Sequence, residues 1–279
     1  MNTYTIDKEQ IYIIAGMPRT GTTFLYHNLQ KHPNIFAPAR KEVGYFAYNY
    51  EKSVDWYFDF YKDMKENQKG LDITGMYFFH QKSIPRILEF NSEAKIILGV
   101  REPKEWIFSL YEHYSSTFGD IPNIKKFLEG TTLTREGTEI EISFTNNAVS
   151  ERIEQFKKQF SSNLLLYKFS LLKEDSLKLI KGIEKFLGIR GYFNKENYRD
   201  SKINPRKKTD GSSLIKSLQQ NEFLVNLALK LLPRKLILRV RNLVDSKMAE
   251  QKSNSKSNKR LKTYSEEELR LVDHLFSTD

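Results

Sequence analysis

The chain has 279 residues, of which 39% are hydrophobic, so it is long enough to bury one large core without being split. It contains no cysteine, which excludes disulfides and thiolate metal sites, and no run of the ~18 apolar residues that would span a bilayer. The net charge is +10, and it is concentrated between residues 202 and 262, which contain sixteen Lys and Arg but only four Asp and Glu. Such a basic segment suggests an anionic partner.

These numbers predict a single domain over residues 1–279, with a core over about 9–200 and a basic helical extension over about 201–279. The apolar opening run is too short for a signal peptide and lacks a basic flank. We therefore expect a cytoplasmic protein.

The first predicted element is a strand over residues 11–15, which leads through a loop into a helix that begins at Thr22. Gly16 and Gly21 bound the loop, where a residue without Cβ lets backbone N–H groups approach a ligand. The helix N-terminus that follows favours an anion. The spacing is that of a Walker A phosphate loop in which Thr22 replaces the lysine, and Arg19 supplies a cation from inside the loop. An ordinary strand-turn-helix with incidental glycines is the alternative interpretation.

Helices and strands then alternate along the chain. The predicted helices cover residues 53–61 and 81–90, and the predicted strands cover 70–74, 95–100 and 163–167, with a helix after each of the last two. Alternation at this spacing predicts an α/β fold with a central parallel sheet covered by helices on both faces.

The strand over residues 95–100 ends at Arg101, and Pro103 suits the first turn of the next helix, which runs through Ser109. Ligands of open α/β sheets bind outside the carboxyl ends of the strands, so Arg101 is expected at the same edge as the Gly16 loop. A kinase or ATPase needs an aspartate at such a strand end to hold Mg²⁺. Arginine in that place favours a nucleotide whose charge is neutralised by protein cations.

Two segments together, residues 16–23 and Arg101-x7-Ser109, resemble the nucleotide motifs of sulfotransferases that use 3′-phosphoadenosine 5′-phosphosulfate (PAPS). The likeness is closest to the glycan branch typified by the heparan sulfate sulfotransferases. It extends over residues 11–114 through the landmarks Leu29-x-x-His-Pro33, Lys41-Glu-Val-Gly-Tyr-Phe46, Asp55-Trp-Tyr57, Thr74-x-x-Tyr-Phe78 and Ile84-Pro-Arg86. The resemblance implies a P-loop NTPase-like three-layer fold, PAPS as donor, 3′-phosphoadenosine 5′-phosphate (PAP) as product, and no metal requirement.

The resemblance also implies roles for individual residues. The 5′-phosphosulfate would be held by the loop residues Arg19, Thr20, Gly21, Thr22 and Thr23. Arg101 and Ser109 would bind the 3′-phosphate, and Glu42 would take the proton of the acceptor. Of the histidines, His80 is the alternative base, whereas His32, before Pro33 at a helix end, is expected to be structural.

The chain departs from the family pattern in two places. Many glycan members carry Glu-Lys-Thr, with the lysine near the active site, where this chain has Asp72-Ile73-Thr74. If a cation is needed there, Lys41 is the first choice to replace that lysine. The glycine-rich basic loop that completes the nucleotide site late in the chain is matched only loosely, and its candidates are Arg206, Lys207, Lys208 and Gly211. A solvated basic turn is the alternative for this segment.

Residues 212–244 alternate apolar and basic side chains at helical spacing, which predicts a cap on the core or, alternatively, contact of residues 212–262 with an anionic membrane. The sequence thus predicts a sulfotransferase that modifies a carbohydrate hydroxyl or an amine. The alternatives are a lipid, polyketide or other small alcohol acceptor, a small-molecule kinase, and a nonenzymatic protein that binds polyanions. A nucleic-acid partner is not expected, and the sequence sets neither the acceptor nor the oligomeric state.

Overall fold

The computed structural model describes residues 6–118, 123–129, 131–135, 138–142, 144 and 146–198. A sheet of five parallel strands, in the order β2-β3-β1-β4-β7, forms the centre of this part of the chain. Its strands are β1 Ile11–Ile14, β2 Ile35–Phe36, β3 Lys69–Ile73, β4 Ile96–Val100 and β7 Leu164–Lys168. The predicted parallel sheet is confirmed, and β1 lies in its middle.

Nine α-helices are found in the described residues. They are α1 Thr22–Leu29, α2 Tyr45–Tyr48, α3 Val54–Phe58, α4 Ser83–Phe90, α5 Pro103–Phe118, α6 Ile124–Leu128, α7 Asn146–Phe160, α8 Phe169–Glu174 and α9 Ser176–Leu187. Short 3₁₀ helices cover Lys8–Gln10, Asp59–Tyr61, Gly75–Phe78 and Ser161–Asn163. Helix α1 begins at Thr22 and helix α5 begins at Pro103, as the sequence predicted.

Successive side chains of β1 point to opposite faces of the sheet, and all four are buried, so the sheet is covered on both faces. Ile11 and Ile13 belong to a hydrophobic cluster on one face, with buried side chains of α4, α5 and α7. Tyr12 and Ile14 belong to a second cluster on the other face, with buried side chains of α1 and α9. This arrangement of helix, sheet and helix confirms the three-layer α/β fold.

A two-stranded antiparallel hairpin between α6 and α7 was not predicted. Its strands are β5 Thr131–Arg135 and β6 Thr138–Ile142, and they form a sheet of their own. The sequence did carry a signal, because residues 131–135 are rich in threonine and β-branched residues alternate with glutamate over residues 138–142. The helix α7 that follows was also not predicted.

Candidate active site

The loop between β1 and α1 is fixed by contacts with strands β4 and β7. The Met17 N–H donates to the carbonyl of Gly99 in β4, and the Thr20 hydroxyl donates back to the Met17 carbonyl at 2.6 Å. The Tyr167 hydroxyl, from β7, donates to the Thr20 carbonyl at 3.0 Å. A Cβ on Gly16 would lie 2.6 Å from the Thr20 hydroxyl, so the loop closes only with glycine there.

The loop leaves the start of α1 open to a ligand. Gly21 precedes the helix with a φ of 93°, and no side chain caps the first N–H groups. Arg19 also has a left-handed backbone, with a φ of 72°, which is uncommon for a residue with a side chain. Such conformations concentrate at ligand sites, where the surrounding structure enforces them at a cost of about 1–3 kcal/mol. The free N–H groups and the helix dipole at this point favour an anion.

The two nucleotide motifs predicted from the sequence meet in space. Arg19 Nε donates to Ser109 Oγ at 3.4 Å across 90 residues of chain, and Arg101 Nη1 donates to the Arg19 carbonyl at 3.3 Å. Burial lowers the pKa of Arg19, and the charge of Arg101 lowers it further, whereas Glu112 raises it. Two guanidinium groups held this close repel each other, so an anion beside them is stabilised.

Three residues that the sequence analysis did not single out surround Arg101. Its guanidinium lies over the Phe169 ring, 4.6 Å from the centroid, and Arg101 Nη2 forms an ion pair with Glu105 Oε2 at 3.2 Å. Lys173 Nζ contacts the same carboxylate oxygen at 3.1 Å. Burial lowers the pKa of Arg101, and the Glu105 charge opposes that shift. Arg101 Nε is buried and makes no hydrogen bond, so the guanidinium retains a donor for a ligand.

Glu42 lies in a strained turn beside the loop. Its φ is 62°, and its own N–H donates to the Ile73 carbonyl at 3.1 Å. Oε2 of Glu42 accepts the N–H of Gly75 at 2.9 Å, while Oε1 forms an ion pair with Lys41. The Glu42 side chain is 20% exposed, so a ligand can reach the carboxylate. A Cβ on Gly75 would lie 3.4 Å from the Gly16 carbonyl, which places this part of the turn against the loop.

Asp72, one of the positions at which the sequence departs from the pattern it resembles, lies completely buried in β3. Its carboxylate accepts hydrogen bonds from the hydroxyls of Tyr77 at 2.6 Å, Thr74 at 2.7 Å and Tyr57 at 3.0 Å. Burial raises the pKa of Asp72 to about 6, and these hydrogen bonds oppose the shift, while the charge of Glu42 adds to it. The residue was noted from sequence only as a departure from the family pattern.

Two histidines can now be placed. His32 Nδ1 accepts the Asn34 N–H at 3.0 Å, and its Nε2 faces the Arg190 carbonyl at 3.1 Å, which agrees with the predicted structural role. His80 Nδ1 is buried without a hydrogen-bond partner. Burial lowers the pKa of His80 to about 4, and the charges of nearby basic side chains, Arg86 first, lower it further. His80 is therefore neutral near pH 7 but a weak base.

The remaining predicted site residues divide into two groups. Thr22 and Thr23 are the first two residues of α1, beside Arg19. Residues Arg206, Lys207, Lys208 and Gly211, and the basic segment 212–262, lie outside the described residues. Within the described residues, no group of three or more His, Cys, Asp or Glu side chains is arranged to hold a metal ion. In the same part of the chain, no helix has the length and apolar character needed to cross a membrane.

Comparison with known proteins gives consistent matches. The sulfotransferase domain family matches residues 9–222. Membrane-associated sulfotransferase kil1 of Dictyostelium discoideum is 38% identical over 108 residues, which are 37% of this chain and 22% of that protein. Heparan sulfate glucosamine 3-O-sulfotransferase 3A1 of Mus musculus is 25% identical over 182 residues, which are 64% of this chain and 45% of that protein. The chain thus spans less than half the length of both relatives.

A solved structure supports the fold. The crystal structure of a sulfotransferase from Alicyclobacillus acidocaldarius superposes with a TM-score of 0.54, covering 79% of this chain and 93% of that chain. The sequence identity over this superposition is 15%, so the likeness concerns the fold alone.

Proposed function

The chain belongs to the sulfotransferase domain family, and on that premise we propose that it transfers a sulfuryl group from PAPS to a hydroxyl group of a carbohydrate. The observation that carries the proposal is the contact between the two motifs, in which Arg19 donates to Ser109 while Arg101 donates to the Arg19 carbonyl. A donor with phosphate groups at two ends fits two joined cationic sites better than a nucleotide with a single phosphate chain.

The 5′-phosphosulfate of the donor is assigned to the start of α1. Arg19 and the N–H groups of Gly21, Thr22 and Thr23 would hold it, with the two threonine hydroxyls as further donors. Thr20 would contribute only through its backbone, because its hydroxyl donates to the Met17 carbonyl. The uncapped helix start fits an anion of this kind.

The 3′-phosphate is assigned to Arg101 and Ser109. The unpartnered Nε of Arg101 supports this role, since a buried donor without a partner costs free energy that a bound phosphate would recover. Phe169 and Glu105 hold the guanidinium plane in place. Arg206, Lys207, Lys208 and Gly211 stay predicted as the residues that complete the nucleotide site.

Glu42 is assigned as the general base. The acceptor oxygen attacks sulfur, its proton passes to the Glu42 carboxylate, and the bond between sulfur and the bridging oxygen breaks, so that PAP leaves with the electron pair. Arg19 and the α1 N–H groups would stabilise the charge that develops on the leaving phosphate. Lys41, which forms an ion pair with Glu42, is assigned as the second cation. In the proposed mechanism these side chains supply the base and the cations, and no step uses a metal ion.

The acceptor is the finer part of the proposal. A glycan acceptor, through a hydroxyl or an amine, is supported by the similarity to a heparan sulfate sulfotransferase. A lipid, polyketide or other small alcohol is the alternative within the same chemistry. A kinase is disfavoured because β4 is followed by Arg101, and because the Asp72 carboxylate in β3 already accepts three hydroxyl groups.

Calorimetric titration tests the donor site. PAP titrated in EDTA is expected to bind tightly, and adenosine 5′-phosphate, which lacks the 3′-phosphate, is expected to bind at least about tenfold more weakly. ADP with and without Mg²⁺ is the comparison for the kinase alternative. A preference for ADP with Mg²⁺ over PAP would overturn the assignment of Arg101 and Ser109.

Peripheral membrane contact is a separate proposal for residues 212–262, which account for most of the net positive charge of the chain. Co-sedimentation of the full chain with vesicles of phosphatidylserine and phosphatidylcholine tests it against vesicles of phosphatidylcholine alone. Equal binding to the two vesicle types would contradict the proposal.

A further inference from the structure

Asp72 has no cationic partner among the residues that the structure describes. Its carboxylate is completely buried, and no ion pair with it is found in the part of the chain that the structure describes. A buried carboxylate is costly unless hydrogen bonds satisfy it, and here three hydroxyl groups do so. Burial raises the pKa values of Tyr57 and Tyr77, and the charge of Asp72 raises them further, so both phenols stay protonated as donors.

Two of these hydroxyls also accept backbone N–H groups from the turn that follows Glu42. Thr74 Oγ1 donates to Asp72 Oδ1 at 2.7 Å and accepts the Gly44 N–H at 3.2 Å. The Tyr77 hydroxyl donates to Asp72 Oδ2 at 2.6 Å and accepts the Phe46 N–H at 3.4 Å. Each hydroxyl has only one proton. Because that proton is donated to Asp72, the oxygen lone pairs are free to accept the backbone N–H groups of the turn.

The same strand end holds Glu42 directly. The Glu42 N–H donates to the carbonyl of Ile73, and its carboxylate accepts from Gly75. The residues immediately after Asp72 thus hydrogen-bond to the turn that contains Glu42. An amide in place of the Asp72 carboxylate would present an NH₂ group to one of the hydroxyls, which then has to turn its proton towards the backbone N–H of the turn.

We propose that Asp72 is a positioning residue for Glu42, and that its carboxylate orients the Thr74 and Tyr77 hydroxyls so that they hold the turn at Gly44 and Phe46. The consequence for catalysis rests on the proposed function, in which Glu42 is the base. The structural part, the dependence of the turn on Asp72, is independent of that function.

Amide hydrogen exchange in peptides over residues 42–48 tests the structural part on the full chain. Asp72→Asn is expected to speed exchange there at least about tenfold, with no change in peptides from α1, because the loss of oriented acceptors frees the Gly44 and Phe46 N–H groups. Thr74→Val is expected to act in the same way, whereas Thr74→Ser, which keeps the hydroxyl, is expected to match the wild type. Tyr61→Phe is the matched control, because the Tyr61 hydroxyl donates to Tyr57 at 3.4 Å and is not among the three hydroxyls that donate to Asp72.

Turnover and donor binding test the catalytic part. With PAPS and a desulfated heparan sulfate oligosaccharide as the probe acceptor, Asp72→Asn is expected to lower kcat at least about tenfold while the Kd of PAP stays within about twofold. Wild-type exchange rates in both Asp72→Asn and Thr74→Val would overturn the inference. Should Asp72→Asn fail to fold, the Thr74→Val and Thr74→Ser pair decides. If PAP does not bind the wild-type chain, the proposed function fails, and the exchange experiment still decides the role of Asp72.

Discussion

Replacing Glu42 with glutamine removes the proposed base and changes little else. The amide oxygen of glutamine can still accept the Gly75 N–H, so the turn keeps its main side-chain contact. The ion pair with Lys41 is lost, which costs up to about 3 kcal/mol for a charge-assisted hydrogen bond and lowers Tm by roughly 2–4 °C per kcal/mol. The variant should therefore stay folded at 25 °C.

The expected loss lies in the chemical step. Removal of a general base typically costs about 10²- to 10⁴-fold in rate, which is about 3–5 kcal/mol of barrier. PAP does not require the proton acceptor, so its Kd should stay within about twofold of the wild type. Calorimetry with PAP and single-turnover transfer from radiolabelled PAPS to a desulfated heparan sulfate oligosaccharide measure the two quantities separately.

Glu51→Gln is the matched control for this experiment. It makes the same chemical change nine residues later, at an exposed position, and should leave both quantities unchanged. The reasoning is refuted if the Glu42→Gln variant retains kcat within about threefold of the wild type while PAP still binds. His80, whose lowered pKa leaves it neutral, would then be the next base to test.

Three other predictions concern the 3′-phosphate site, two glycines in β4 and α9, and the buried carboxylate. Arg101→Gln should weaken PAP binding at least about tenfold but leave adenosine 5′-phosphate binding unchanged, and calorimetry with both nucleotides checks this. A Cβ in Gly99→Ala would lie 2.5 Å from the Tyr167 hydroxyl, so overpacking should lower the free energy of unfolding, measured by chemical denaturation, by about 1–3 kcal/mol. The control Gly182→Ala, whose added Cβ meets no atom within 4 Å, should raise the free energy of unfolding by about 0.5–1 kcal/mol. The pKa of Asp72 is raised from 3.8 to about 6, so its contribution to stability is fully present below pH 3.8 and is lost as pH rises through about 6. The free energy of unfolding of Asp72→Asn relative to wild type should therefore rise by up to about 3 kcal/mol between pH 3.5 and 7, and a flat difference would contradict the raised pKa.

Much of the fold was predictable because its signals are local. An apolar run followed by Gly16 and Gly21 predicted β1, the loop and the start of α1 at Thr22, and the structure places them there. The parallel sheet followed from alternating strands and helices, and Pro103 marked the start of α5. The hairpin of β5 and β6 was not predicted, because both strands are short and rich in polar residues, so their hydrophobic signal is weak.

The candidate site was predictable in its residues but not in its contacts. The sequence by itself placed Arg19 in the loop and Arg101 at a strand end, since both positions depend on spacing within a few residues. Only the tertiary structure decided that Arg19 contacts Ser109, that Arg101 lies on Phe169, and that Asp72 accepts the Thr74 hydroxyl. Such contacts join segments far apart in the chain, and they depend on the strand order and on which hydroxyl donates to which carboxylate. Local periodicity does not encode these long-range relations, because burial and hydrogen bonding are settled only when the sheet and its layers pack together.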